Sequence, residues 1–355
     1  MTARPRMAAV IAACGLLAMP AAAQAATKTV DMGVPVKSQS KLPAQVDVNA
    51  FFPHTVAIRA GDTVRFRPAG FHNVDLPAKG GDPLPLIVPN GQTVTGVNDA
   101  AGNPFWFNGS PQVGFNPALG VSGFGKSFTY RGNKRVGSGL PLEQSPKPMR
   151  VKFPKKGKYT YFCDIHPGME GQVVVKRKNA GIPTAKQDRR RVNKQFAGAV
   201  SRGKKLASVK PPANTAYLGS AAKGGVEYFG MVPGALTVPV GTTVTFAMSP
   251  RSYETHTATF GPGNPDDPTS YIGAIVASFQ GPGPFDPRAI YPSEPGTTAT
   301  YTSTLHGNGF WNSGALDRSP LTALPVSNTV TFGAAGSYTY ICAIHPFMRG
   351  QVVVQ

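Results

Sequence analysis

The sequence predicts an all-β protein of two similar β-sandwiches joined by a basic linker. Three observations support this prediction. Among 355 residues, 41 are Gly and 35 are Pro, and charged residues make up 15%, a composition typical of turn-rich β proteins. Apolar residues alternate with polar ones, as they do along strands. A set of segments occurs twice in the same order.

The first 26 residues have the pattern of an export signal. Arg4 and Arg6 give a positive start, a short apolar run follows, and the small-residue sequence AQA at 23–25 resembles a cleavage site. We therefore predict an exported protein, periplasmic or extracellular in the cell envelope, with no transmembrane segment. A lipoprotein box ending at Cys14 is an alternative, which is disfavoured because the apolar run continues beyond it.

The repeat defines two domains after this signal. The segment 151–175 aligns without gaps to 330–354, and both end in GQVVV. We expect a first domain at 27–178, a basic linker at 179–212 and a second domain at 213–355. Each domain is long enough to bury a core of its own, since 41% of the residues are hydrophobic.

The repeated segments read as strands and turns. Val64 and Phe66 in GDTVRF alternate with polar neighbours, as do Val244 and Phe246 in GTTVTF. Near the end of each half, two alternating runs flank a glycine, in VKFPKKGKYTY and VTFGAAGSYTY. Each half is therefore predicted to be a Greek-key sandwich that ends in a hairpin.

The linker carries most of the excess positive charge. Residues 176–210 contain twelve Lys or Arg against one acid, Asp188, which is +11 of the total +19. Two interpretations are open: a solvated, extended linker, or a patch for an anionic cell-envelope surface or an acidic partner. The part at 186–206 is compatible with a short helix that places three apolar residues on one face: Val192, Phe196 and Val200. Nucleic acid is not expected as a partner of an exported chain without a nucleic-acid-binding signature.

Two cysteines remain after the signal, and each lies in one half. Cys163 is followed by His166 and Met169 in YFCDIHPGME, and the same spacing recurs in YICAIHPFMR. Cysteines placed in this way do not pair within a domain. A thiolate, an imidazole and a thioether form a soft ligand set that favours copper, whereas zinc prefers four strong Cys or His ligands. The two motifs therefore predict two copper sites, each of which needs a second histidine.

The second histidine can be identified by its position in the repeat. His72 follows the GDTVRF strand, and His256 follows the corresponding GTTVTF strand. His54 and His306 have no counterpart in the other half, so we expect them to be surface or loop residues.

With these residues, the sequence resembles the cupredoxins of the plastocyanin and amicyanin type. That family has a first His after an early strand and a C-terminal Cys-x-x-His loop that ends in Met, and two residues separate His from Met here, as in amicyanin. The resemblance implies two type 1 copper sites, with the Cys as the short ligand, two His completing a trigonal plane and Met as the weak axial ligand. The implied ligands are His72, Cys163, His166 and Met169 for one ion, and His256, Cys342, His345 and Met348 for the other.

The same resemblance implies further roles. Asn73 corresponds to the residue that braces the Cys loop, and Thr257 stands in its place in the second half. His166 and His345 would be exposed imidazoles through which electrons pass. The chain departs from the family in its long Gly- and Pro-rich insertions, which contain Trp106. Trp311 also lies in such a segment, and both tryptophans are expected either to form a lid or docking surface or to anchor the loops on the sandwich.

The most consistent function is an exported electron carrier with two mononuclear copper centres and redox proteins as partners, not an enzyme. Copper storage or delivery is one alternative. A two-domain copper oxidoreductase such as a nitrite reductase is another, but those enzymes need additional histidines, commonly in His-x-His pairs. The sequence has six His and no such pair.

Overall fold

The computed structural model describes residues 25–281, 283–296 and 298–355, and strands dominate this part of the chain. The all-β fold class is thus confirmed. The predicted signal, with the alternative anchor Cys14, lies outside the described residues except for positions 25 and 26. In the described ranges, no helix combines the length and apolar character needed to cross a bilayer.

The first half contains two five-stranded sheets and a separate two-stranded hairpin, β7–β8. The sheet orders are β3-β1-β5-β11-β9 and β10-β6-β12-β13-β4. A one-turn helix, α1, covers Val36–Gln39 and a 3-10 turn covers Pro117–Gly120. The strands are β1 Thr27–Met32, β2 Val46–Val48, β3 Phe51–Phe52, β4 Thr55–Arg59, β5 Thr63–Pro68, β6 Asp75–Leu76, β7 Ile87–Thr93, β8 Pro111–Phe115, β9 Ser127–Thr129, β10 Val136–Gly137, β11 Met149–Lys152, β12 Gly157–Phe162 and β13 Glu170–Lys176.

The second half contains a six-stranded and a five-stranded sheet, in the orders β19-β21-β17-β14-β15-β2 and β16-β23-β22-β18-β20. Helix α3 covers Tyr271–Ala277, α4 covers Pro287–Ile290 and a 3-10 turn covers Leu305–Gly307. The strands are β14 Thr215–Ala222, β15 Val226–Val232, β16 Ala235–Val238, β17 Thr243–Ala247, β18 Thr259–Phe260, β19 Ala299–Tyr301, β20 Trp311–Asn312, β21 Ser327–Phe332, β22 Gly336–Ile341 and β23 Arg349–Val354.

The two halves have the same strand connectivity. In the first, β1 runs parallel to β5, β5 is antiparallel to β11, and β11 is parallel to β9. In the second, β14 runs parallel to β17, β17 is antiparallel to β21, and β21 is parallel to β19. The opposite sheets also correspond, since β12–β13 and β22–β23 are the antiparallel hairpins that flank the two Cys-x-x-His-x-x-Met loops.

Each half buries its own core between its two sheets. In the first, Tyr161 packs edge-on against Phe51 and Phe66, with ring centroids 4.7 and 5.0 Å apart. In the second, Tyr340 contacts Phe246 at 4.9 Å. Both tyrosines lie on the strand that leads into a Cys-x-x-His-x-x-Met loop, so each core holds the base of that loop.

The basic linker is a packed helix, not an extended segment. Helix α2 spans Ala185–Gly203 and begins with a capping box between Thr184 and Gln187. Val192, Phe196 and Ala199 of its apolar face pack into a cluster with first-half and second-half residues such as Phe52 and Val226. The interpretation as a solvated, extended linker is therefore wrong. Most of its cationic side chains face outward, and binding to an anionic surface stays a prediction.

The two halves are in extensive contact. Strand β2 of the first half pairs with β15 and extends a second-half sheet. The arm, which we define as residues 87–115, packs on the second half through buried aromatic rings that include Phe107 and Phe310. Trp106 of the arm donates from Nε1 to the carbonyl of Pro292 at 2.8 Å. Trp311 instead lies in the second-half core, so it anchors its segment and does not form a lid.

Candidate metal centres

The first candidate centre forms where the β12–β13 loop meets the segment after β5. Cys163 Sγ lies 3.5 Å from His166 Nδ1 and 4.0 Å from His72 Nδ1. The two imidazole Nδ1 atoms are 2.9 Å apart. The loop is closed by the Cys163 N–H, which donates to the carbonyl of Met169 at 2.9 Å. His72 is thus brought from 91 residues away to Cys163 and His166, and the three donor atoms converge on one point.

The second candidate centre repeats this arrangement. Cys342 Sγ lies 3.7 Å from His256 Nδ1 and 3.8 Å from His345 Nδ1, and the two Nδ1 atoms are 3.2 Å apart. The Cys342 N–H donates to the carbonyl of Met348 at 3.0 Å. Six of the eight predicted ligands are therefore grouped into two equivalent triplets.

Both methionines are positioned by their loops. Met169 is 2% exposed and Met348 is fully buried. Each donates its backbone N–H to the carbonyl of the preceding loop histidine, at 3.0 Å to His166 and 2.8 Å to His345. Their role as axial ligands stays a prediction.

The spacing of the donor atoms fits a trigonal copper ion. Bonds of about 2 Å from one ion to two nitrogens and a sulfur place the ligand atoms about 3.5 Å apart. The observed separations run from 2.9 to 4.0 Å around this value. Two imidazoles with their Nδ1 atoms turned toward each other and toward a thiol are a donor set that one small cation would satisfy.

Burial sets the protonation state of these groups. It lowers the pKa of His72 and of His345 to about 4. Burial also lowers the pKa of His166 well below its ordinary value, with smaller contributions from His72 and His345. It lowers the pKa of His256 in the same way, with a smaller contribution from His345. Burial also raises the pKa of the Cys163 thiol to about 12. The imidazoles are therefore neutral, with lone pairs free for a metal, which must displace the thiol proton.

The residue after the first histidine braces the Cys loop in both halves. Asn73 Oδ1 accepts from the backbone N–H of Asp164 at 2.7 Å, and its Nδ2 donates to the carboxylate of Asp164 at 2.9 Å. In the second half, Thr257 Oγ1 accepts from the N–H of Ala343 at 2.8 Å. The backbone N–H that follows the cysteine therefore donates to an amide oxygen in the first half and to a hydroxyl oxygen in the second.

We expect Asn73→Ala to destabilise the chain by about 2–3 kcal/mol, because a buried N–H and a carboxylate oxygen lose their partners. Asn90→Ala is the matched control, since it removes an exposed amide bonded to Gln112 at 3.0 Å. Denaturant unfolding of the metal-free chain measures both free energies. Equal, small losses in the two variants would show that the amide does not brace the loop.

Two glycines that the sequence reasoning missed shape the sites. Gly33 directly follows β1 with φ +102°, and a Cβ built there would lie 2.6 Å from His72 Cδ2. Gly219 lies at the register shift in β14 with φ +76°, and its Cβ would lie 3.1 Å from His256 Nε2. Both could have been found from the repeat, because a glycine ends the run VDMG in the first half and the corresponding run AYLG in the second. Each leaves space for one imidazole.

The other two histidines lie outside both triplets. His54 is exposed, as predicted, and its Nδ1 contacts the carbonyl of Glu170 at 3.0 Å. His306 is a loop residue, in the 3-10 turn Leu305–Gly307, and its side chain is 14% exposed between Asp99 of the arm, 3.2 Å from Nδ1, and Glu294, 2.9 Å from Nε2. It therefore belongs to the contact between the arm and the second half.

Comparisons with known proteins give short or partial matches. No family model matches the chain. A stretch of 26 residues, 7% of this chain, is 62% identical to amicyanin of Paracoccus versutus, and it spans 20% of that protein. Among solved structures, a reduced Cu(I) form of an amicyanin mutant is 22% identical over 42% of this chain and 88% of its own, with a TM-score of 0.23. A purple cupredoxin from Nitrosopumilus maritimus is 17% identical over 40% of this chain and 98% of its own, with a TM-score of 0.20.

Proposed function

We propose that the chain is an exported blue copper protein with two mononuclear type 1 sites, which carries electrons one at a time between redox proteins. The observation that carries this proposal is the pair of buried triplets, each with two imidazole Nδ1 atoms and one thiol sulfur within 4.8 Å of one another. The short match to amicyanin supports the same assignment.

The protein's own residues would perform three tasks. His72, His166 and Cys163 would hold the first copper, with Met169 as axial ligand, and the equivalent second set is His256, His345, Cys342 and Met348. When bound, copper supplies a one-electron redox couple. Burial of His72 and Cys163, and of His256 and Cys342, excludes water from the ligand plane. The hydrogen bonds that close each loop keep the ligands in place when the metal charge changes, a condition for fast electron transfer.

The number and positions of the histidines favour an electron carrier over an enzyme. A catalytic copper of the nitrite reductase kind needs histidines beyond the two triplets, and His54 and His306 are the two that remain in the sequence. His54 is exposed beside Glu170, whereas His306 is enclosed by Asp99 and Glu294. Among the described residues, the three-ligand groups of His, Cys and acidic side chains are the two triplets.

A copper count with a visible spectrum of the mature protein tests the proposal. We expect two coppers per chain and an intense blue band that bleaches on reduction. Cys163→Ser and Cys342→Ser should each remove one copper and about half of the blue absorption, because the thiolate is the strong ligand of each site. Cys163→Ser that keeps both coppers and the full band would refute the assignment of the first site.

The storage or delivery alternative predicts a different result. Such a protein would release its copper readily, whereas ligands held by buried loops release it slowly. The loss of blue absorption in excess chelator therefore separates the two functions. Loss within the mixing time from both sites would favour copper handling over electron transfer.

A further inference from the structure

The imidazole of His166 faces the second half with its outer nitrogen. Its Nδ1 is turned toward Cys163 and His72, and its Nε2 lies 4.0 Å from Oε1 of Glu254. The side chains of His166 and Glu254 are 12% and 9% exposed. The imidazole expected to be an open port for electrons is thus covered by a carboxylate from the other half.

Glu254 is held in this position by the first half. Asn49 donates from Nδ2 to Glu254 Oε1 at 2.6 Å, and its own backbone N–H donates to the carbonyl of Gly225 at 2.7 Å. Beside it, the ring of Tyr253 packs on Gly168 of the first ligand loop, where an added Cβ would lie 3.2 Å from the ring. Two adjacent residues of the second half therefore close the outer side of the first site.

In the pair of His166 and Glu254, the imidazole is the hydrogen-bond donor and the carboxylate is the acceptor. If Nδ1 of a neutral imidazole binds a metal, its Nε2 carries the proton and needs an acceptor. Histidine ligands nearly always donate this N–H to a carboxylate, a backbone carbonyl or water. Glu254 is the carboxylate on that side of His166, and it lies two residues before His256 of the second triplet. One short segment thus touches the first site and supplies a ligand to the second.

On the basis of the proposed function, we propose that Glu254 of the second half is the outer hydrogen-bond partner of His166 and positions this imidazole for the metal. A separation of 4.0 Å is not a direct hydrogen bond. In the proposed arrangement, a side-chain rotation or one bridging water connects Nε2 of His166 to the carboxylate of Glu254. The first site is therefore completed by a residue from the second half, which makes the two halves a single functional unit.

The first experiment needs no metal. In the metal-free chain at pH 7, NMR should show a slowly exchanging Nε2–H signal of His166. We expect Glu254→Gln, which keeps the shape and an acceptor oxygen, to weaken this signal, and Glu254→Ala to abolish it. The matched control is Glu227→Gln, which removes a buried acid that accepts from Ser252 Oγ at 3.1 Å and has no histidine contact of this kind. The control should leave the signal in place.

The second experiment uses the copper-loaded Cys342→Ser chain, in which the first site is the one that remains. Loss of an outer-sphere partner lowers metal affinity by about 10- to 100-fold. We therefore expect Glu254→Ala to weaken copper binding at this site by that factor, with a smaller effect for Glu254→Gln and none for Glu227→Gln. Unchanged affinity and an unchanged His166 signal in Glu254→Ala would overturn the inference.

The two experiments separate this inference from the proposed function. If Cys342→Ser binds no copper, the proposed function fails for the first site, and the metal-free NMR result still decides the role of Glu254. If the chain is blue but both Glu254 variants match their parents in both measurements, only the inference fails.

Discussion

Replacing Gly33 with alanine should abolish copper binding at the first site while the second site keeps its copper. The reason is steric. A Cβ at this position would lie 2.0 Å from the carbonyl oxygen of Ala69, and 2.6 and 2.7 Å from Cδ2 and Nε2 of His72. Neither the backbone of Ala69 nor the buried imidazole can move away without displacing the first histidine from the triplet.

Gly61→Ala separates this clash from the cost of the backbone conformation. Gly61 has φ +96°, close to the +102° of Gly33, but an added Cβ would meet nothing within 4 Å. The left-handed conformation should cost both variants about 1–2 kcal/mol. Copper content, the visible spectrum and denaturant unfolding would be measured for each. We expect Gly33→Ala to lose one copper and a further 1–3 kcal/mol of stability relative to Gly61→Ala.

Equal behaviour of the two variants would show that Gly33 leaves no required space for His72. Gly219→Ala extends the comparison to the second half. Its Cβ would lie 3.1 Å from His256 Nε2, a milder contact. We therefore expect Gly219→Ala to weaken copper binding at the second site, whereas Gly33→Ala should abolish copper binding at the first.

Phe107→Ala should destabilise the chain by about 3–5 kcal/mol and release the arm from the second half. Phe107 is fully buried and stacks on Phe105 and Tyr291, with centroids 4.9 and 5.5 Å apart. Removal of the ring leaves a cavity in the cluster that joins the halves and reaches Ala343, next to Cys342. Thermal or denaturant unfolding measures the loss, and limited proteolysis within 87–115 measures the release.

Trp106→Ala is the control for this variant. Trp106 is 43% exposed and contributes one hydrogen bond to Pro292, so its removal should cost less despite its larger side chain. If both variants lose the same stability, and the arm is cleaved at the parental rate in Phe107→Ala, the buried cluster does not hold the arm in place.

Much of the fold was accessible from sequence because its signals are local. The alternation around Val64 and Phe66 predicts β5, and the run before Cys163 predicts the hairpin of β12 and β13. A strand needs its apolar face and its turns, both of which appear within a few residues. The spacing of Cys163, His166 and Met169 is equally local, since it lies within one loop. His72 is far from this loop in the sequence, and it was identified because His256 occupies the corresponding position in the second half.

The contacts between the halves were not accessible in this way. Nothing in the short run Val46–Val48 states that it pairs with β15 instead of a strand nearby in the sequence. The charge of the linker favoured a solvated segment, yet Val192, Phe196 and Ala199 bury a face of α2. These outcomes depend on which apolar surfaces remain uncovered after each sandwich has formed, a property of the folded halves and not of any window of sequence.

The sequence by itself determined that the chain is all-β, that its pattern is written twice, and which residues are candidates to bind copper, because periodicity and ligand spacing are local properties. Only the tertiary structure decided that Gly33 leaves space for His72, that Glu254 closes the outer side of His166, and that His306 lies within the contact of the arm with the second half. The physical reason is that these roles arise from the close approach of groups far apart in the chain, where distance and burial, not residue type, set the energy.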